Sequence, residues 1–400
     1  MLSKMSFVNI SKNNSKPIIL FGSGNIALKT IRKLRRENIS FIVDNSSNLQ
    51  ETTYDGFEVK SPSAITNDYF VVICSTAISD IAGQLESIGL HADKDFVLSP
   101  ILNDLLAISE LEELNKVIYF TSGTVPKEEK NAGGGLYRCH VKGLDVTLEC
   151  LYSGSCYGMI ERKNEIIFVD TDKGIFSYCR DQKVVERIGG LPHGSRAHGI
   201  SFNEFNNKYY VSCSNADQVL ELNCNFEVTR KFKLSNKYEL NKQAMHHCND
   251  NLALGNSLYV SMFSSSGNWK HDCFDGCIAE FDISTGERMT NIYSNLYMPH
   301  NVQFFNGSLH ILDSLPGHLR FGNFSIQGTF PAFTRGLSYS AGLYYIGQSK
   351  NRNHSKVMGL SNNISIDCGI IVFNPELKVS RFLQFPFTIG EIHSILTFEK

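Results

Sequence analysis

The sequence has no excess of either charge. Its 38 Lys and Arg face 40 Asp and Glu over 400 residues, a formal net charge of -2. Such a chain lacks the basic footprint that a nucleic-acid phosphate backbone or an anionic membrane demands, and this directs attention to small-molecule partners. It also lacks any run of about 18 uncharged apolar residues able to span a bilayer. The opening segment, MLSKMSFVNISKNNSKPIIL, has neither the apolar core nor the small-residue cleavage site of a secretory signal, so a soluble, cytoplasmic protein is expected. The 11 cysteines are odd in number and form no Cys-x-x-Cys pair, which argues against a disulfide framework and for reduced, mostly buried thiols. Cys273 and Cys277, in HDCFDGC, stand beside His271 and Asp272, but no second cysteine pair completes a zinc-type set.

What is present divides in two, as a length of 400 residues leads one to expect. Residues 1–15 read as a flexible N-terminus. From residue 16 to 102 the pattern is strand, turn, helix, strand, repeated. Ile18 to Phe21 form an apolar run, and Gly22, Gly24 and Ala27 then match Gly-x-Gly-x-x-Ala where a helix begins, its buried stripe supplied by Ile26, Ile31 and Leu34. Glycines there let backbone N–H groups approach a phosphate. Asp44 closes the second strand, FIVD, where a dinucleotide-binding fold places the acid that holds ribose hydroxyls. DYFVVICST and KDFVLSP are further strands, ISDIAGQLESIGL a helix, and YDGFEVKSPSAI a short turn-like segment. The predicted architecture is an α/β parallel sheet with right-handed crossovers. Candidate cofactor-binding residues are Gly22, Ser23, Gly24, Asn25, Asp44 and Ser75.

On FGSGNIA, FIVDN, DGFEVKSP and VVICST, this region resembles the small Rossmann-like domain at the front of many bacterial sugar-modifying and surface-polysaccharide proteins, including sugar acyltransferases. The resemblance implies recognition of a nucleotide or nucleotide-sugar. No group suited to hydride transfer is evident. The bland alternative is that the glycines only form a tight turn and nothing binds.

Residues 103–132 read as a helix, in NDLLAISELEELNKVIYF, and a linker, TSGTVPKEEKNAGGG. From residue 133 to 400 helical periodicity disappears. Short apolar strands alternate with Gly, Asn and Ser turns in an irregular repeat of about 35 to 50 residues, the range of propeller blades. The chain closes on EIHSILTFEK, a first strand with nothing after it, while residues 133 to 154 look like outer strands that lack a first one. Joined, they complete a sixth blade and leave no strand edge bare, predicting an all-β six-bladed propeller.

In such a ring the innermost strand of each blade lines a central channel. Aligned on those strands, the blade starts are Tyr157, His198, His246 with His247, His300, Arg335, and Glu391 with His393, with Asn249, Asp250 and Asn301 close by. Histidines converging from separate blades suit a metal or an acid/base site. The catalytic candidates are His198, His247, His300, Arg335 and His393; the metal candidates are His198, His246, His247, Asn249, Asp250 and His300, for a divalent ion of undecided identity. For any one histidine the alternative is a strand cap bonded to backbone and trapped water. Arg196 and Arg335 can pair with a carboxylate or phosphate of a substrate, or with surface acids. His310, Asp313 and His318 lie on one blade, and Trp269 and Tyr297 can stack on a sugar or serve as core and rim.

The domain resembles the six-bladed propellers that include gluconolactonase and paraoxonase-type lactone hydrolases and streptogramin lyase. It is similar above all to an uncharacterised bacterial propeller family with an HxND unit followed by a PH unit, matched by His247, Asn249, Asp250, Pro299 and His300. Tyr157 stands where the lactonases have a metal carboxylate, so their calcium site is in doubt and a histidine-centred site is easier to assemble. Three functions compete. The first is a metal-dependent or acid/base lyase or hydrolase of surface-glycan or sugar metabolism, acting on a sugar-derived substrate. The second is a non-catalytic module that senses a nucleotide-sugar and docks a glycan-biosynthesis protein or a second copy of itself. The third places the chemistry in the front domain.

Overall fold

In the computed structural model the described residues are 5–12, 16–123, 133–350 and 364–398. They form two compact units, Met1–Glu110 and Leu111–Lys400. Most of the segment expected as a linker lies outside the described residues.

The first unit is built on a six-stranded sheet. Its strands β1 (Ile18–Phe21), β2 (Ile39–Val43), β3 (Thr53–Tyr54), β4 (Phe57–Lys60), β5 (Phe70–Ile73) and β6 (Phe96–Leu98) take the order β3-β4-β2-β1-β5-β6. All pairings are parallel except the β3–β4 hairpin, so the sheet is mixed. Strands β1, β5 and β6 are buried along their whole length because apolar layers cover both faces, and this is why they read as continuous rather than alternating apolar runs. The segment expected to be only a turn supplies β3 and β4. Its Asp55-Gly56 pair, at φ 49° and 83°, is the two-residue turn that a right-handed hairpin favours. The expected flexible N-terminus is in part a helix, α1 (Phe7–Lys12), whose Ile10 is buried in the core. Helices α2 (Asn25–Ile31), α3 (Ile78–Ser87) and α4 (Asn103–Glu112) follow, α3 burying Ile81 and Leu85 one turn apart.

The second unit is a six-bladed propeller, each blade an antiparallel four-stranded sheet. The innermost strands of blades one to five are Cys156–Arg162, Ala197–Asn203, Cys248–Leu254, His300–Phe305 and Phe333–Ser340. Blade six joins the two ends of the unit: the C-terminal strand Ser394–Thr397 is innermost, followed by β7 (Asn115–Ser122), β8 (Gly135–Lys142) and β9 (Asp145–Ser153). The sixth blade therefore takes one strand more from the N-terminal side than a start at residue 133 allows. Residues 115–122, expected within the helix and linker, are the strand β7, and α4 stops at Glu112. Ile118 and Phe120 of β7 are fully buried, Phe120 stacking on Phe385 at 4.7 Å, in a core shared with Ile370, Ile392 and Ile395 of its neighbours.

Candidate active site

Each of the first five innermost strands breaks register with its partner just after its start. The breaks fall between Cys156 and Met159, Ala197 and Ile200, Cys248 and Asn251, His300 and Gln303, and Thr334 and Leu337. A bulge re-aims side chains. Here the bulged residues are Tyr157, His198, Asn249 with Asp250, Asn301 and Arg335. Tight packing of the bulges requires glycine in two places. A β-carbon on Gly158 would meet the His198 carbonyl oxygen at 2.5 Å, and one on Gly199 would meet Asp250 Cα at 2.6 Å.

The rings form a chain at the starts of the innermost strands. Tyr157 lies 4.0 Å from His393 and 4.4 Å from His198, centroid to centroid, and His198 lies 6.0 Å from His247 and 6.2 Å from His393. Phe263 links His247, at 4.5 Å, to His300, at 5.4 Å. All four histidines are buried. Burial first, then the cations Arg196, Arg335 and Lys270, lowers His247 to about 3. Burial first, then Arg196 and the neighbouring imidazoles, carries His198 well below its ordinary range, and burial with Arg335 does the same to His300. These three imidazoles are neutral at neutral pH.

Their hydrogen bonds fix roles. His300 Nδ1 is 3.0 Å from the Met298 carbonyl, which only accepts, so Nδ1 carries the proton and Nε2 keeps its lone pair. The Ser314 hydroxyl is 2.8 Å from the same Nδ1. His198 Nε2 is buried and has no hydrogen-bond partner among the described residues. The ring of His247 has none there either, and it packs on Trp269 at 4.4 Å. His393 Nε2 is 2.9 Å from Glu391 Oε2, whose other oxygen lies 3.4 Å from Arg335 Nη1; all three side chains are buried. The Asp250 carboxylate accepts from the Asn301 N–H at 2.9 Å, and burial, against that bond and Arg335, raises it to about 6.

The expected site residues do not all converge. His246 points away from the others: Nδ1 faces the Ser264 carbonyl at 2.8 Å and Nε2 the Ser235 hydroxyl at 2.7 Å. His310 is a satisfied core histidine, between the Ser308 carbonyl at 3.0 Å and the Tyr344 hydroxyl at 2.8 Å. Asp313 accepts from the Tyr297 N–H at 2.7 Å and pairs with Arg320. Asn249 donates weakly to the carbonyls of His247 and Pro299 and leaves Oδ1 buried without a partner among the described residues. Among the described residues no group of three or more His, Cys, Asp or Glu is arranged to hold a metal ion.

Two residues outside the expected sets shape the site. Asp217, fully buried, accepts backbone N–H groups of Met245, His246 and His247, the last two at 2.9 Å, and so holds His247 at the left-handed φ of 55° from which its ring enters the mouth. Glu391 orients both His393 and Arg335. The sequence signal for Asp217 is an acid closing or following a blade's second strand, as Asp170 and Asp313 also do.

In the first unit, Gly22, Ser23, Asp44 and Ser75 gather at the ends of the adjacent strands β1, β2 and β5. The Asp44 carboxylate is engaged by its own chain: Oδ2 accepts from the Ser23 N–H at 2.8 Å and hydroxyl at 2.7 Å, and Oδ1 from the Ser46 N–H at 2.9 Å. Burial alone would raise this group, but these bonds hold it below the usual carboxylate range. Gly24 and Asn25 are exposed, and the Tyr54 hydroxyl donates to the Gly24 carbonyl at 3.0 Å.

Residues 196–400 match the family described as a domain of unknown function, DUF4915, a match that takes in five of the six innermost strands. The chain belongs to the DUF4915 family. Residues 14–96 match a second family, C2185-like, N-terminal. No curated protein matches the chain. Among solved structures it is similar to a nidogen/laminin complex, at 10% identity over 70% of this chain and 97% of that one with a TM-score of 0.49. It is also similar to a protein of unknown function from Bacteroides caccae, at 14% identity over 72% and 100% with a TM-score of 0.47. A third is virginiamycin B lyase from Staphylococcus aureus, at 14% identity over 55% and 71% with a TM-score of 0.38. In this DUF4915 chain no helix among the described residues is long and apolar enough to cross a membrane.

Proposed function

We propose that the propeller is a lyase or hydrolase that works by acid/base chemistry at the mouth of its channel on a sugar-derived substrate. The observation that carries this reading is the convergence of four buried imidazoles with an Arg335–Glu391–His393 chain, where a strand-capping role would need no such gathering. Desolvating several imidazoles together costs stability, and His198 leaves a buried nitrogen without a partner among the described residues. His247 borders a cavity of about 350 Å³, and in this reading its neutral ring, with a free lone pair, takes the proton as a weak base that acts only on an already acidic proton. Arg335, locked by Glu391, faces negative charge that develops on the substrate as the proton leaves. Asp250, raised to about 6 by burial, stands three residues after His247 and is protonated below that value.

The test is turnover of β-eliminable and hydrolysable sugar derivatives by the parent, His247→Ala and His300→Ala. Each variant is expected to lose at least a hundredfold in kcat/KM while keeping its melting temperature within a few degrees. Full activity in both would remove the proposal and leave a docking module. A divalent ion is a second reading, favoured by the unpartnered His198 Nε2. Elemental analysis of parent and His198, His247 and His300 variants decides it: near-stoichiometric metal lost in the variants makes the reaction metal-dependent.

For the first unit we propose nucleotide or nucleotide-sugar binding at the ends of the adjacent parallel strands β1, β2 and β5 of its mixed sheet. Titration with nucleoside diphosphates and their sugars, against Asp44→Ala, tests it. Loss of binding in the variant is expected; no binding by the parent would overturn it.

A further inference from the structure

A second cavity, of about 460 Å³, opens beside Tyr157, and it shares Gly194, Arg196 and Asn215 with the cavity that borders His247. Arg196 therefore stands in the wall common to both. Its guanidinium makes no ion pair among the described residues, whereas Arg335, which is buried, is committed to Glu391. Its backbone sits at a left-handed φ of 47°, uncommon for a residue with a side chain. The Ser214 N–H and hydroxyl, both 3.1 Å from the Arg196 carbonyl, pin it there. This conformation is costly, and it fixes a cation at the entrance of blade two, one residue before the inner strand that carries His198.

The surroundings are cationic on a chain whose net charge is -2. Lys173 and Arg187 line the larger cavity, with Asp172 the one acid among its described lining residues, and Lys270 lines the smaller, its ammonium held 4.2 Å over the Trp269 ring that also packs on His247. Gathering like charges in adjoining cavities is unfavourable unless an anion enters. A guanidinium with free donors suits a carboxylate or phosphate, which it can hold by two parallel hydrogen bonds. Cavities of this size accept a small molecule of one or two rings.

We infer that Arg196 anchors a carboxylate or phosphate of the substrate, so that the molecule bridges the two cavities with its reacting carbon toward His247. The inference rests on the proposed chemistry of the histidine ring for that last step only; the anion site stands without it. Lys270 and Arg187 raise the local anion concentration from either side, and the substrate class is a negatively charged sugar derivative rather than a neutral one.

Calorimetric titration of the full chain with glucuronate, glucose 6-phosphate and glucose, at low and high salt, tests it. Parent protein is expected to bind at least one anionic probe and not glucose, the carboxylate and phosphate arms showing which anion fits. Arg196→Gln should weaken that binding ten- to a hundredfold, and Arg196→Lys should restore part of it. Lys270→Gln and Arg187→Gln, at exposed positions with ordinary backbone, should weaken it several-fold and reduce its salt dependence, which keeps the test decisive if Arg196→Gln folds poorly. No anionic binding by the parent, equal binding of glucose, or unchanged affinity in Arg196→Gln and Lys270→Gln would overturn the inference. His247→Ala should still bind the anion. Intact anion binding with no turnover in the parent would count against the catalytic reading and not against this one.

Discussion

A buried neutral imidazole is a statement about stability as well as chemistry. His198, His247 and His300 lie below the ordinary value of 6.5 chiefly because burial disfavours the cation. In the unfolded chain they take up protons as pH falls through 6.5, while in the native ring they do not. The stability they contribute is thus present above 6.5 and lost on acidification, on the order of 1 kcal/mol per pH unit for each, until pH nears the native value, about 3 for His247. Asp250 has the opposite sign: raised from 3.8 to about 6, it costs stability as pH rises across that window and offsets part of the imidazole slope. Urea unfolding at pH 7 and pH 5 should therefore show a clear loss at the lower pH. A His198→Gln, His247→Gln, His300→Gln variant should show a shallower slope, and an equal slope would mean that these rings are already charged when folded.

At the scale of the element, the bulge at the start of five of the six innermost strands is what turns a repeat into a site. Gly199→Ala would drive a β-carbon to 2.6 Å from Asp250 Cα, backbone that cannot swing aside, so blades two and three must part. A loss of about 2–4 kcal/mol is expected, with disturbed His198 and Asp250. Gly194→Ala meets nothing within 4 Å but sits at φ 75°, so only backbone strain of about 1 kcal/mol should appear. Thermal melts of the two variants check both. The bulge also marks what could be read in the sequence. The repeat period revealed the blades, and His198, His300, Arg335 and His393 stand at the polar starts of their inner strands. Adjacent residues at a bulge leave in different directions, and no period states which one enters the channel. For that reason the sequence groups His246 with His247 although its ring bonds Ser235 and Ser264. The position of Asp217 after a blade's second strand is legible, but its role is not, because it accepts three N–H groups from a segment about 30 residues on.

At the scale of the whole second unit, closure by strands from both ends decides where the propeller begins. The strand β7 follows directly on the helical pattern of α4, and its eight residues carry one apolar run, VIYF, that suits the end of a helix as well as a strand. Only its partners settle the matter: it pairs with β8 along its full length and with Ser394–Thr397 on its other side. A fragment starting at residue 133 would strip Ile118 and Phe120 from a shared core and bare both the last inner strand and β8. Losing two fully buried large side chains costs about 4–10 kcal/mol, comparable with the whole stability of a domain, before the unpaired strand edges are counted. A fragment of residues 111–400 keeps the closed ring. It should be monomeric by sedimentation and melt in one cooperative step, while the fragment from 133 should aggregate or bind hydrophobic dye. Equal folding of the two would mean that blade six holds with three strands and that closure by β7 contributes little.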